Sequence, residues 1–269
     1  MDTMVDNNRS RRPVALITGA TSGIGRALAE RFAQDGHELI LVARNETRLA
    51  TARRDLEMAY DVPVSDCPLD LTQPDAPETL LHHLAIENAD VDALVNNAGF
   101  ATYGPFAETD LTSQLGMIQL HVQALTHLTH LLLPGMIERG RGRILNVAST
   151  AAFQPGPSMS VYFATKAYVL SFSEALHAEV RRHGITVTAL CPGPTSTEFF
   201  KRAAMERSGL TSKRLVMEVN PVVEAGYHGL MNGKRVVVPG WKNKLGAFLA
   251  RRAPQRLVLA LSERLVGRD

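Results

Sequence analysis

Apolar residues in this chain follow two alternating rhythms. Val14, Ala15, Leu16, Ile17 and Thr18 form an almost wholly apolar run, as a strand covered on both faces must, and Gly19 ends it. Ile24, Leu28, Ala29 and Phe32 then recur at helical spacing until Gly36 stops them, which predicts a helix. The alternation continues, with strands expected at 38–42, 62–69, 93–96, 143–148, 185–190 and 235–238 and helix-length segments between most of them, the first at 45–59. This β-α order predicts the α/β class: a single Rossmann-type, doubly wound parallel sheet of about seven strands with helices on both faces. Ligands of such a sheet gather at the carboxyl ends of the strands, near the point where strand order reverses.

There is no internal repeat and no Pro/Gly linker to divide the chain. The expected organisation is a disordered lead-in at 1–13, one Rossmann-type domain at 14–240 and a C-terminal extension at 241–269. In the extension, Leu245, Phe248, Leu249, Leu257, Val258, Leu259, Leu261 and Leu265 alternate with Lys242, Lys244, Arg251, Arg252 and Arg256 around Pro254. This predicts two short basic amphipathic helices. Packing on the domain is the preferred expectation for them; a second subunit or an anionic membrane surface are the alternatives.

Composition narrows the classes. A chain of 269 residues, 45% apolar and 21% charged, can bury one core of this size. No apolar run reaches the length of a membrane span, and 1–13 reads as neither signal peptide nor anchor. Two cysteines, Cys67 and Cys191, sit in apolar segments, which suits buried thiols in a reducing, cytoplasmic setting. The net charge of +2 conceals a basic tail and a mildly acidic remainder, and nothing resembles a nucleic-acid footprint. His82, His83, His127 and His130 lack the neighbours that would complete a ligand set, so no metal is expected.

Candidate chemistry begins after the first strand. Thr18, Gly19, Ala20, Thr21, Ser22, Gly23, Ile24 and Gly25 form a glycine-rich turn opening a helix, where unpaired backbone N–H groups can cradle a pyrophosphate. Gly19, Thr21, Ser22, Gly23, Ile24 and Gly25 are its candidate residues. At the end of the second strand an NAD enzyme would place an acid for the ribose 2′-hydroxyl; this chain has Ala43 and Arg44. A guanidinium binds a 2′-phosphate bidentately where a carboxylate would repel it, so NADP(H) is expected over NAD(H).

Tyr162 and Lys166 stand one helical turn apart, so phenol and ammonium can share a site. A cation about 4 Å from the phenol, at an effective dielectric near 20, is worth roughly 4 kcal/mol and would bring the tyrosine toward ionisation near neutrality. Thirteen residues before Tyr162, Ser149 follows a predicted strand and would place a hydroxyl at the same sheet edge.

At this point the sequence resembles the short-chain dehydrogenase/reductase superfamily, from about position 14 to 240. The glycine turn, Asp70-Leu71, Asn96-Asn97-Ala98-Gly99, Ser149, Tyr162 with Lys166, and Pro192-Gly193-Pro194-Thr195-Ser196-Thr197 fall in that family's order and spacing. The resemblance implies that Tyr162 is the general acid/base, that Lys166 lowers its pKa and holds the nicotinamide ribose, and that Ser149 orients the carbonyl. It places Asp70 and Leu71 at adenine, Asn96, Asn97, Ala98 and Gly99 along the adenosine side, and Pro192, Gly193, Thr195 and Thr197 over the nicotinamide. It implies homodimers or homotetramers, and its NADP-preferring members share the Ala43-Arg44 feature. In one slot the chain departs: His121 stands where the family carries a catalytic asparagine, and either substitutes for it with a pH dependence of its own or is a satisfied helix histidine.

On the substrate side, Phe199, Phe200 and Met205 give an apolar face to the segment where the family carries a mobile lid, and Phe100, Tyr103, Phe106 and Phe153 are expected to face the cleft. The expected activity is NADP(H)-dependent interconversion of a small hydrophobic carbonyl compound and a secondary alcohol. A cofactor sensor without turnover and a membrane-surface lipid reductase are the rival readings.

Overall fold

The structure, a computed structural model, describes residues 11–199 and 216–266. β1 (Val14–Thr18) is buried at every position and runs into a turn that opens α1 (Gly23–Gln34). β2 (Glu38–Ala43), α2 (Glu46–Tyr60), β3 (Val64–Pro68), α3 (Ala76–Ile86) and β4 (Val91–Asn96) follow in strict alternation. Asn45 caps α2 by accepting a hydrogen bond from the Arg48 amide at 2.8 Å, so the expected helix start at 45 is its cap. β3 starts two residues later than expected because Pro63 cannot donate to a ladder and Asp61, in the left-handed region at φ 51°, ends α2 just before it.

The second half builds α4 (Leu111–Ile118), a π-helical turn (Gln119–Ala124), α5 (Leu125–Glu138), β5 (Gly142–Val147), α6 (Ser160–Val180) and β6 (Ile185–Leu190). α7 (Val219–Met231), the two-residue β7 (Val236–Val237), α8 (Trp241–Ala250) and α9 (Gln255–Val266) complete the described chain. The seven strands form one sheet in the order β3-β2-β1-β4-β5-β6-β7, all pairs parallel. β1 lies between β2 and β4, so strand order reverses at its carboxyl end and a crevice opens there.

Apolar residues fill both faces of the sheet. Leu28, Phe32, Leu49, Leu56 and Tyr227 cover one face, and Leu80, Leu84, Leu128, Leu176 and Val180 the other. Between β4 and β5 the core is polar and fully paired: Asn96 Nδ2 donates to Asn146 Oδ1 at 2.9 Å, and Asn146 Nδ2 donates to Ser173 Oγ at 2.9 Å. Arg11 pairs with Asp92 at 2.9 Å and Arg12 donates to the Asp61 carbonyl, so the expected lead-in is tethered from Arg11 on. The remainder of that lead-in, 1–10, lies outside the described residues.

Both C-terminal helices appear, and they pack on the domain. α9 buries Val258, Ser262 and Val266; Ser262 Oγ donates to the Pro155 carbonyl at 2.7 Å, and Tyr103 Oη donates to the Val266 carbonyl at 2.7 Å. Among the described residues no helix is long and apolar enough to cross a membrane.

Candidate active site

A groove of about 480 Å³ lies over the carboxyl ends of β1, β2, β4 and β5. Its first wall is the glycine turn. Gly19 and Gly23 sit at φ 68° and 55°, where side chains are disfavoured, and the Ser22 hydroxyl makes no cap bond. Thr21, Ser22, Gly23 and Ile24 line the groove, and the first amides of α1 open toward it.

Two expectations for this wall need correction. Gly25 lies behind the groove rather than in it; a Cβ there would stand 2.3 Å from the Gly19 carbonyl oxygen and from Asn97 Nδ2. Asn96 turns its side chain into the polar core between β4 and β5, because successive strand residues point to opposite faces, whereas Asn97, Ala98 and Gly99 line the groove. Asn97 is itself a brace: its Nδ2 donates to the Thr18 carbonyl at 2.9 Å, and its amide donates to Thr18 Oγ1 at 3.0 Å.

Arg44, Asp70 and Leu71 line the far end. Arg44 is two-thirds exposed and its nearest acid, Asp70, is 3.9 Å away, so its donors point toward the groove unengaged by a hydrogen bond. Arg48, indistinguishable from its basic neighbours by sequence, is instead held by Glu198 at 3.2 Å across the groove mouth. Pro192, Gly193, Thr195 and Thr197 form the opposite rim, with Thr195 Oγ1 tied to the Gly193 carbonyl at 2.9 Å.

The reactive end gathers Ser149, Tyr162, Lys166 and His121. Ser149 caps a 3₁₀ turn (Thr150–Phe153) and accepts from the Ala151 amide at 3.1 Å. Tyr162 and Lys166 are both buried on α6. Lys166 Nζ donates to the Val147 carbonyl at 2.8 Å and lies 5.8 Å from the centre of the Tyr162 ring. Burial pushes the phenol up to about 12, with the Ser149 hydroxyl pulling the other way, and burial draws the Lys166 ammonium down to about 8. The expected lowering of the phenol by the cation is not what this burial gives: desolvation dominates, and Tyr162 stands as a neutral phenol.

His121 belongs to a directed chain of hydrogen bonds. Its Nε2 accepts from the Phe100 amide at 3.2 Å, which leaves Nδ1 to carry the proton and donate to Thr165 Oγ1 at 2.9 Å. Thr165 Oγ1 in turn donates to the Tyr162 carbonyl at 2.8 Å. A Cβ on Gly99 would come within 2.9 Å of Nε2, so the glycine makes room for the ring. Burial, aided by Lys166, holds the imidazole well below its ordinary range. The unfolded chain therefore binds the extra proton: this site's stability is complete above about pH 6.5 and declines as the pH falls below it, by about 1.4 kcal/mol per unit. His121→Asn should remove that share of the acid-side slope in denaturant melts while leaving the pH profile of activity between pH 6 and 8 unchanged.

Phe100, Phe163, Met159 and Phe199 supply the apolar wall, with the Phe199 ring 5.7 Å from that of Tyr162. Three of the aromatic residues expected at the cleft are elsewhere. Tyr103 is buried against α9, Phe106 is exposed, and Phe153 lies under Arg251. Phe200 and Met205 lie outside the described residues. Phe163, which follows Tyr162 on α6, and Met159, which caps that helix, escaped the sequence reading because only the way the start of α6 sits on the sheet turns them to the groove.

A dinucleotide-sized groove at the switch point, with a phenol and an ammonium at one end, serves hydride transfer, the work of an NAD(P)-dependent oxidoreductase. The chain belongs to the short-chain dehydrogenase family, whose model matches residues 13–208. A very-long-chain 3-oxoacyl-CoA reductase of Laccaria bicolor is 39% identical over 178 residues, 65% of this chain; the match spans about half of that relative, 53%. A short-chain dehydrogenase from Sphingobium yanoikuyae, solved in complex with NADPH, is 37% identical at a TM-score of 0.80, covering 89% of this chain and 93% of that one. The bulky-bulky ketone specific alcohol dehydrogenase from Comamonas testosteroni is 32% identical at a TM-score of 0.76, covering 89% and 92%.

Proposed function

We propose that the protein is an NADP(H)-dependent carbonyl reductase, reversible as a secondary alcohol dehydrogenase, acting on a hydrophobic substrate. The observation that carries this is the pairing of a neutral, buried phenol with an ammonium one turn away, at the apolar end of the groove. Reduction of a ketone needs a proton donor for the developing alkoxide, and a phenol still protonated at neutral pH is such a donor. Ser149 positions the carbonyl oxygen beside Tyr162, and the Lys166 charge stabilises the tyrosinate left behind. Its ammonium has donors beyond the one given to Val147, free for hydroxyl groups in the groove.

The residues fit the cofactor. The glycine turn leaves amide N–H groups and the Ser22 hydroxyl for a pyrophosphate, and Arg44 offers its fork to a 2′-phosphate. When bound, the reduced nicotinamide supplies the hydride. The NADPH in the Sphingobium relative and the bulky ketones named for the Comamonas enzyme support both halves of the reading. A homodimer or homotetramer is part of it, since α4 leaves Leu111, Leu115 and Ile118 exposed along one stripe.

A panel of aryl and alkyl ketones with NADPH and NADH tests the proposal: turnover that needs Tyr162 supports it, and tight cofactor binding without turnover makes the chain a sensor instead. Arg44→Ala should weaken NADPH by about 10- to 100-fold and leave NADH nearly unchanged, as fluorescence titration would read. Equal losses for the two cofactors would remove Arg44 from the 2′-phosphate.

A further inference from the structure

The outer side of the C-terminal helices carries apolar surface that neither the core nor the groove uses. At 3.6 residues per turn, Trp241, Leu245, Phe248 and Leu249 share one side of α8, within roughly a 100° arc. All four are exposed, Trp241 by 71% and the others by half or slightly more. Ala247, on the opposite side, is buried against the body, and Asn243 beside it donates to the Pro239 carbonyl at 2.9 Å. The stripe therefore faces away from the protein. Lys242 and Lys244 border its two edges, and the Arg252 guanidinium lies 4.1 Å above the Phe248 ring. α8 contains no acid, and α9, which adds exposed Leu257 and Leu261, contains only Glu263 beside Arg256 and Arg264.

We propose that this helix pair docks on an anionic lipid surface, with Trp241, Leu245, Phe248 and Leu249 in the headgroup boundary and Lys242, Lys244 and Arg252 on lipid phosphates. Charge selects this occupant. A second copy packed by two-fold symmetry would set a cation-only patch against itself, whereas a negatively charged plane complements every residue at the edge of the stripe.

The inner side of the same helices reaches the site. The Asn243 side chain lies 2.5 Å from where a Cβ on Gly193 would stand, so α8 is seated on the rim of the groove. Val266, at the end of α9, is buried in the apolar cluster that includes Met159 and Tyr162. Docking thus holds the substrate end of the groove beside the bilayer. Resting on the carbonyl reductase reading, this names the substrate class: long apolar ketones or alcohols that partition into lipid.

Sedimentation of the full chain with vesicles tests the docking without any reading of activity. Equimolar phosphatidylcholine and phosphatidylglycerol should pellet at least about tenfold more protein than phosphatidylcholine alone, with the difference shrinking at high salt. Leu245→Glu with Phe248→Glu should abolish pelleting, and Lys242→Gln with Lys244→Gln should remove the preference for anionic vesicles. Both variants should keep full turnover of a short water-soluble ketone and lose rate on a long-chain ketone supplied in vesicles. The proposal is overturned if the chain ignores anionic vesicles, if neither variant changes pelleting, or if these substitutions dissociate an oligomer in vesicle-free solution. Docking without turnover of any carbonyl compound would defeat the reductase reading and leave the docking intact.

Discussion

Tyr162→Phe should lower ketone reduction by about three orders of magnitude while leaving NADPH affinity within a factor of two. The substitution removes one hydroxyl from a buried ring and leaves the contacts of that ring with Phe163, Phe199 and His121 in place. What disappears is the proton donor, and positioned general acids contribute about 10²- to 10⁴-fold. Burial holds the phenol at about 12, so it stays protonated across the working range, while Lys166 at about 8 does not stay charged. The reductive rate of the wild type should therefore fall as pH rises through about 8, when the ammonium that steadies the tyrosinate loses its proton. Steady-state rates from pH 6 to 10, with cofactor affinity measured separately, check both parts. A Tyr162→Phe enzyme retaining a tenth of the wild-type rate would place the proton donor elsewhere.

Much of this was legible in the sequence because the signals were local. A fully buried parallel strand must read as an apolar run, and the glycine turn must lie between such a run and a helix. The relation of Tyr162 to Lys166 is likewise fixed by one helical turn. The pKa ordering was not legible, since it depends on how deeply α6 buries the pair and on Lys166 turning to the Val147 carbonyl. Nor were the roles of Asn96 and Gly25, which depend on strand parity and on a close approach between segments far apart in sequence. Of the aromatic residues expected at the cleft, only the relation of loops to α9 could separate Phe100 from Tyr103. The His121 chain needed three distant partners, Phe100, Thr165 and the Tyr162 carbonyl, to fix which nitrogen holds the proton.

The close approach at Gly25 leads to the second large effect. Gly25→Ala should weaken NADPH binding by at least about 100-fold and lower stability by about 1 to 3 kcal/mol. The added Cβ would stand 2.3 Å from both the Gly19 carbonyl oxygen and Asn97 Nδ2. Neither atom is free to retreat. The Gly19 amide donates to the Val42 carbonyl at 2.8 Å, and Asn97 Nδ2 spans the Thr18 and Gly19 carbonyls at 2.9 and 3.2 Å. Relief has to come from α1, which must tilt away and carry its opening amides off the position where the turn presents them. Gly36→Ala separates this from the ordinary penalty of filling a glycine. Gly36 has φ 76° with nothing within 4 Å of its added Cβ, so it should lose about 1 kcal/mol of stability and no cofactor affinity. Thermal melts and NADPH titrations of the two variants distinguish them; a Gly25→Ala protein that bound NADPH as the wild type does would show that the spacing between α1 and the turn does not shape the phosphate cradle.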